Sequence, residues 1–340
     1  MYSIILAAGK GTRMGEMDRP KVCLEIEGVP VIVRAIETYA RCGIEQHIVV
    51  VGDRADEVKA TVRKRFPNAV FVHQPEPRGT GHAARCGASV LDASGYAGDV
   101  LVVVGDRILK EPMVGGLLDH FRTSGADLCV TVGAKEDTPD AGRIVEDESG
   151  HVLANLEVSD VTRAQLIGRW FERVRAGPLD RAAVRTEILR AFPTERKAQR
   201  ALPKLWRLLD DHPTITRDDL TNCFSPDEAS FRFEGPDGRV RRLTGEEIEA
   251  TSRYVNLSVY CFRAEALRYA LERLTSANAQ GEEYLTDAIG ILVSAHTPAG
   301  QPRFRVVAYR IAQPTDALAF NTPEELEAIR EHYRHHRSLA

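Results

Sequence analysis

No run of about 18 or more consecutive apolar residues occurs in the chain, so no segment reads as a membrane-crossing helix. The N-terminus carries only the short apolar run Ile4 to Ala8 and no basic leader, which makes a cytoplasmic location the default expectation. Cysteine is sparse and scattered. Cys23, Cys42, Cys86, Cys129, Cys223 and Cys261 show none of the paired spacing that builds a zinc site, and they read as reduced, mostly buried thiols. An excess of positive charge is also missing. A net charge of −4 and a pI near 6.2 exclude any global attraction to nucleic acid or to an anionic membrane, so such binding would have to be local. Internal repeats and low-complexity tracts are absent as well.

What is present is an ordinary globular composition, 43% hydrophobic and 28% charged, in 340 residues, enough for a sizeable core and about two domains. Through residue 135 short apolar runs alternate with helical stretches, the pattern of a parallel sheet covered by helices. The expected strands are Tyr2–Leu6, His47–Val51, Val70–His73, Val100–Val104 and Leu128–Val132. Between them helices are expected near Val31–Arg41, Ala55–Arg65, His82–Leu91 and Met113–Ser124. Gly142–Glu146 and Val152–Glu157 flank the turn Asp147-Glu148-Ser149-Gly150 and read as a hairpin.

The texture then changes. Between Arg163 and Arg207 there are twelve Arg and Lys against four Asp and Glu, with Leu166, Trp170 and Val174 recurring at helical spacing. A mainly helical basic subdomain is expected over 159–253, ending in a second hairpin, Ser230–Glu234 with Arg239–Leu243 around Gly235-Pro236-Asp237-Gly238. Both tryptophans, Trp170 and Trp206, lie in it, so their emission should report on it. Its basic face reads more readily as solvated than as a nucleic-acid surface, because aromatic residues for base stacking are few. A lid over the active site is one role for it; a surface for self-association or for a protein partner is the other. Strand and helix texture returns with Val255–Phe262, helices through Leu274 and near Tyr284–Val293, a strand at Phe304–Ala308 and a closing helix from Pro323.

The chemistry is concentrated near the N-terminus. Leu6-Ala7-Ala8-Gly9-Lys10-Gly11-Thr12-Arg13-Met14 follows the first strand directly, and glycines there let backbone N–H groups turn toward an anion at the carboxyl edge of a parallel sheet. The segment reads as a phosphate loop. It lacks the spacing of a Walker A loop, and it lacks the third glycine position and the downstream acid of a dinucleotide fingerprint.

This loop, followed by Arg19-Pro20-Lys21-Val22, resembles the signature of the sugar-1-phosphate nucleotidyltransferase family. Gln74-Pro75-Glu76-Pro77-Arg78-Gly79-Thr80-Gly81-His82-Ala83 resembles the base-reading segment of the uridylyltransferase domain of bifunctional N-acetylglucosamine-1-phosphate uridylyltransferases. The likeness continues through Gly105-Asp106, Gly142-Arg143-Ile144, Glu157, Asn256, the run Asn278 to Asp287, and Asn321, and so covers roughly 1–158 and 254–330. It implies an α/β fold with a Rossmann-like mixed, mainly parallel sheet flanked by helices, a nucleotidyltransferase body of 1–158 and 254–340, and the inserted 159–253. The implied reaction joins UTP, or a related triphosphate, to a sugar 1-phosphate, with N-acetylglucosamine 1-phosphate first among acceptors. Its products would be pyrophosphate and the cell-envelope precursor UDP-N-acetylglucosamine.

Because a sugar phosphate oxygen is already anionic at neutral pH, such a transfer needs no general base; the difficulty is bringing two polyanions together in line. Arg13 and Lys21 can supply positive charge. Asp106 at a strand end can hold Mg²⁺ with the carbonyl-type oxygen of Asn321. The resemblance assigns Arg13 and Lys21 to the phosphates, Asp106 and Asn321 to the metal, and Leu6, Ala7, Ala8, Gly9, Gly11, Thr12, Gln74, Gly79 and Thr80 to the nucleotide. Gly142, Glu157, Asn256, Tyr284 and Thr286 are assigned to the sugar. His82 receives no chemistry.

Two departures bear on specificity. The family usually follows Gly-Asp with a small apolar residue and Pro-Leu, whereas this chain has Arg107-Ile108-Leu109; where Asn-Thr-Gly is usual it has Asn256-Leu257-Ser258. A different sugar or another phosphorylated acceptor therefore stays open, as does a catalytically weak nucleotide-sugar sensor. The chain also ends soon after Asn321 without hexapeptide repeats, so acetyl transfer is not expected of it.

Overall fold

The computed structural model describes every residue except Lys10, Thr12, Arg13, Glu16, Met17, His212 and 338–340, and the side chains of Asp211, His336 and Arg337 are likewise outside the description. Among the described residues no helix is long and apolar enough to cross a membrane.

Nine strands form one mixed sheet. Tyr2–Ala7 runs between Gln46–Val51 and Asp99–Val104, parallel to both, and Val70–His73 extends the parallel part beyond Gln46–Val51. The long strand Tyr254–Arg263 lies antiparallel between Asp99–Val104 and Leu128–Ala134. Val306–Arg310 joins Leu128–Ala134 in parallel, and the hairpin Arg143–Glu146 with Val152–Leu156 is attached through Val255 opposite Arg143.

Alternation along the strands decides the layers. Ile4, Leu6, Ile48, Val50, Val100 and Val102 belong to one buried cluster, with Ala83, Ala84 and Ala88 of the helix Thr80–Ala93 and with Leu267, Leu271, Ile289 and Leu292. Their neighbours Ile5, Ala7, Val49, Val51, Leu101 and Val103 face the other side, against Ile32, Ile36 and Tyr39 of Val31–Arg41, Val58 and Val62 of Ala55–Arg63, and Leu117 and Phe121 of Glu111–Ser124. Each large aliphatic side chain buried this way contributes about 1.5–3 kcal/mol. Small residues bring Thr80–Ala93 unusually close to the sheet: a Cβ on Gly87 would lie 2.5 Å from Ile4 Cγ2.

These are the layers expected from the sequence, with shifts at the ends. The helix expected from His82 begins at Thr80, the one expected through Leu274 closes at Leu271, and the region near Tyr284–Val293 is a 3-10 turn, Leu285–Asp287, before the helix Ala288–Val293. The final strand begins at Val306 rather than Phe304.

Between Val158 and Thr251 the chain forms the helices Val158–Arg173, Arg181–Ala191, Glu195–Ala201, Pro203–Asp211 and Arg217–Cys223, then the hairpin Ser230–Glu234 with Val240–Thr244 and the helix Gly245–Thr251. Trp170, Ile167, Ile188, Leu205, Trp206 and Phe224 share a buried cluster of their own, which takes in Ala279 from the returning chain. The Trp170 indole N–H donates to Glu187 Oε2 at 2.9 Å, and the Arg185 guanidinium lies 4.8 Å from the Trp206 ring centroid. The basic excess is extensively paired, with Arg163 on Glu228, Arg169 on Glu246, Arg173 on Glu187 and Arg185 on Asp210.

Candidate active site

Parallel strands end together. Leu6 is level with Val104, and the Gly105 N–H donates to the Leu6 carbonyl at 2.8 Å, so the loop after the first strand and the turn carrying Asp106 open onto one edge of the sheet. A cleft of about 370 Å³ lies there, within the usual range for small-molecule sites. Leu6, Ala7, Ala8, Gly9 and Gly11 line it, together with Lys21, Gln74, Gly79, Thr80, Asp106 and Asn321. Thr12 and Arg13 lie outside the described residues. Met14, Val22, Pro77, Ala83, Val104 and Glu282 complete the lining and were given no role from the sequence.

Lys21 opens the short 3-10 turn Lys21–Cys23, and its ammonium donates to Asp106 Oδ2 and, at 3.3 Å, to Asn321 Oδ1. It also stands 5.0 Å from the centroid of the Phe320 ring, whose residue is fully buried. Asn321 is brought to Asp106 by a short antiparallel pairing, Ala317 with Leu109 and Leu318 with Ile108. Arg107, at the family departure, points elsewhere: its Nε is buried without a partner, and burial lowers its pKa.

Asp106 and Asn321 present one carboxylate and one amide oxygen to the same cation, hard oxygen donors that suit Mg²⁺. Among the described residues no cluster of three or more His, Cys, Asp or Glu could hold a metal alone. A donor set this small fits a Mg²⁺ shared with substrate phosphates, the common arrangement for that ion.

Gln74 is buried, and its amide nitrogen lies 3.2 Å from the Gly79 carbonyl and 3.1 Å from His82 Nδ1. The Gly79 carbonyl can only accept, which fixes the amide orientation. His82 Nδ1 is also 3.1 Å from the Glu76 carbonyl, and one ring nitrogen can donate to that carbonyl or accept from the Gln74 amide but not both, so the tautomer decides which bond forms. His82 thus packs against the Gln74 amide, a neighbourhood invisible in sequence because it depends on a ring eight residues away. Glu283 was missed too. It is buried and takes Arg78 on one oxygen and Arg85 on the other, the latter at 2.7 Å. Its backbone accepts from Gly81 and donates to Arg78, both at 2.8 Å, while Leu285 N–H donates to Thr80 Oγ1 at 3.0 Å. The 281–285 segment is therefore laced to the 78–81 loop.

The five residues expected at the sugar do not line this cleft. Four of them form two hydrogen-bonded pairs, Glu157 with Thr286 and Gly142 with Asn256. Thr286 Oγ1 donates to Glu157 Oε1 at 3.0 Å, and Asn155 Nδ2 approaches the same oxygen at 3.3 Å. Gly142 leaves room for the Asn155 amide, since a Cβ there would lie 2.7 Å from Asn155 Nδ2, and its carbonyl accepts from Asn256 N at 2.9 Å. Asn256 is turned into its own strand: Oδ1 accepts from Ser258 N at 2.7 Å, and Nδ2 donates to Tyr260 Oη at 2.8 Å. Burial, with Asp160 nearby, raises the pKa of Glu157; burial, with Asp160 and Glu157 nearby, pushes Asp287 up to about 7 and raises the Tyr284 hydroxyl. Asn155 Oδ1 is buried with no partner.

A family model described as the MobA-like NTP transferase domain matches residues 3–287, and the chain belongs to that family of nucleotidyltransferases. It is 28% identical over 96% of its length to "Bifunctional protein GlmU" of Geobacter metallireducens, covering 49% of that protein. Over 47% of this chain it is 37% identical to the protein of the same name from Pelobacter propionicus, covering 34% of it. The chain spans about half the length of the first of these curated relatives. A solved UDP-glucose pyrophosphorylase, complexed with UDP-glucose, shares the fold with a TM-score of 0.57, 14% identity and 98% coverage of both chains.

Proposed function

We propose that the protein transfers a nucleotidyl group, uridylyl by preference, from a nucleoside triphosphate to a sugar 1-phosphate in a Mg²⁺-dependent reaction, with N-acetylglucosamine 1-phosphate as the acceptor. One observation carries the reading: a phosphate-type loop, a fixed amide at Gln74 and a cation set of Lys21, Asp106 and Asn321 line a single cleft. An acceptor phosphate oxygen forms the new bond to the α-phosphorus. The bond from that phosphorus to the β-bridging oxygen breaks, and its electron pair leaves with pyrophosphate. Both reactants are anionic, so the residues act by position and charge.

In this reading Lys21, joined by Arg13, binds the α- and β-phosphates. Gln74 and the Gly79 backbone meet the edge of the uracil, with the Gly79 carbonyl keeping the amide turned. Asp106 and Asn321 would hold Mg²⁺, which when bound neutralises charge developing on the phosphates. Gly142, Glu157, Asn256, Tyr284 and Thr286 form the acceptor side. The body of 1–158 and 254–340 carries the site, and 159–253 is an inserted subdomain resting on the acceptor side through Ala279, whose N–H donates to Asp160 Oδ1 at 2.7 Å.

The test is pyrophosphate release across a panel of nucleoside triphosphates and sugar 1-phosphates, glucose 1-phosphate included because of the fold neighbour. UTP or thymidine triphosphate with N-acetylglucosamine 1-phosphate should exceed the purine and cytidine forms by a large factor, on the order of 10⁴ where hydrogen bonds alone discriminate. Equal turnover with ATP or GTP would remove the base assignment, and no pyrophosphate with any pair would remove the reaction.

A further inference from the structure

Lys21 is a cation already standing between the two oxygens that suit a metal. Its side chain is 11% exposed and that of Asp106 24%, so neither is freely solvated. Three contacts hold the ammonium: the Asp106 carboxylate, the Asn321 amide oxygen at 3.3 Å and the Phe320 ring at 5.0 Å. Two of those contacts come from adjacent residues just after the strand Ala317–Leu318, which pairs with Ile108–Leu109 just after Asp106. An ammonium and a divalent ion cannot both lie against the same two oxygens, because their mutual repulsion in a partly dry cleft opposes it. Lys21 itself is easily moved, since a lysine is a point charge on a flexible stem with rotatable donors.

We propose that Lys21 closes the metal site of the free protein, so that a divalent cation enters only with a nucleoside triphosphate, whose phosphate oxygens draw the ammonium off Asp106. The inference rests on the transferase reading. It adds an order: the bare site is occupied by the protein's own cation, and the triphosphate both displaces that cation and supplies the ligands that Asp106 and Asn321 lack. The lysine then lies on the phosphates and the metal on the two protein oxygens.

The experiment measures Mn²⁺ binding to nucleotide-free protein by electron paramagnetic resonance, for wild type, Lys21→Met, Lys21→Arg and the double variant Lys21→Met with Asp106→Asn. Lys21→Met should bind Mn²⁺ at least tenfold more tightly than wild type, Lys21→Arg should show no gain, and the double variant should lose what Lys21→Met gained. With wild type, α,β-methylene-UTP should bring Mn²⁺ onto the protein beyond what the nucleotide alone binds. Equal Mn²⁺ affinity of free wild type and Lys21→Met, weak or strong, overturns the gate. If wild type still forms pyrophosphate in that case, the transferase reading stands without it; if it forms none with any substrate pair, both fail.

Discussion

The carbonyl oxygen of Glu283 stands where a side chain at residue 79 would have to begin: a Cβ built on Gly79 would lie 2.4 Å from it. Gly79 also has φ 109°, a conformation few other residues adopt, and the same Glu283 oxygen accepts from Gly81. Gly79→Ala therefore meets backbone on one side and strain on the other, and the loop must leave the 281–285 segment. We expect a loss of roughly 1–3 kcal/mol in stability and a rise of about tenfold in the KM for UTP, since Gln74 loses its fixed neighbour. Thermal denaturation and initial-rate kinetics check both. Wild-type values in each would show that the loop keeps its seat some other way.

Asp106→Asn keeps the shape of the site and removes the carboxylate charge that faces Lys21. Pyrophosphate formation should fall by roughly two decades or more, a few kcal/mol of charge stabilisation, while the protein stays folded. Turnover near that of wild type at limiting Mg²⁺ would rule out the metal role.

Ser258 has φ 57° in the middle of a strand, where the pairing of Tyr254–Arg263 with Leu128–Ala134 slips between Asn256 and Tyr260. That is the position where the family usually has glycine, and the left-handed backbone explains the preference. Holding a side chain there costs about 1–2 kcal/mol, partly offset because glycine gains more freedom when unfolded. Melting temperatures should rank Ser258→Gly at or above wild type and Ser258→Val well below it. The reverse order would mean that the bulge is not left-handed in solution.

How far the sequence carried follows from the range of each interaction. The alternation of Ile4 and Leu6 with Ile5 and Ala7 is local, and it assigns both faces of the central strand without any partner. Gly9, Gln74 and Asp106 line the cleft just after strands, where the pattern places them, whereas Lys21 and Asn321 were pointed to by the family resemblance. Glu283 was not legible, since its meaning lies in Arg78 and Arg85, which stand 205 and 198 residues away in the chain. Asn256 shows the opposite difficulty: its type and place in the motif point to a ligand, while the bulge gives both ends of its amide an internal partner. Both tryptophans are buried in one cluster of the 159–253 region, so unfolding of that region should change their emission.

Asp287 makes stability depend on pH. Burial raises its pKa to about 7, with Asp160 and Glu157 adding to the shift, against an ordinary value of 3.8. Its contribution is fully present below the ordinary value, because folded and unfolded forms are then both protonated. Between pH about 4 and 7 the unfolded chain has released a proton that the folded one keeps, so stability falls as pH rises. Above about 7 the loss levels off, at a size on the order of a few kcal/mol. Urea denaturation of Asp287→Asn should show a flatter profile across that window and a gain over wild type at pH 8. An identical slope for both proteins would place the pH dependence elsewhere.

Arg200, on the helix Glu195–Ala201, faces Glu282 at 3.8 Å, and Glu282 lines the cleft. The pair is exposed on both sides, 47% and 40%, so it adds little to stability. Its consequence is electrostatic. Without Arg200 the Glu282 carboxylate would face phosphorylated ligands uncompensated, and if the insertion serves the acceptor side the sugar phosphate should feel this more than UTP. Arg200→Ala should leave the melting temperature and the buried-tryptophan emission unchanged while raising the KM for the sugar phosphate roughly two- to fivefold at low salt; Arg200→Glu should raise it further. Both effects should shrink at high ionic strength, where exposed charges are screened beyond roughly 3 Å at 1 M salt. If neither variant changes either KM at low salt, the insertion has no electrostatic part in substrate binding, and its surface serves a partner or self-association instead.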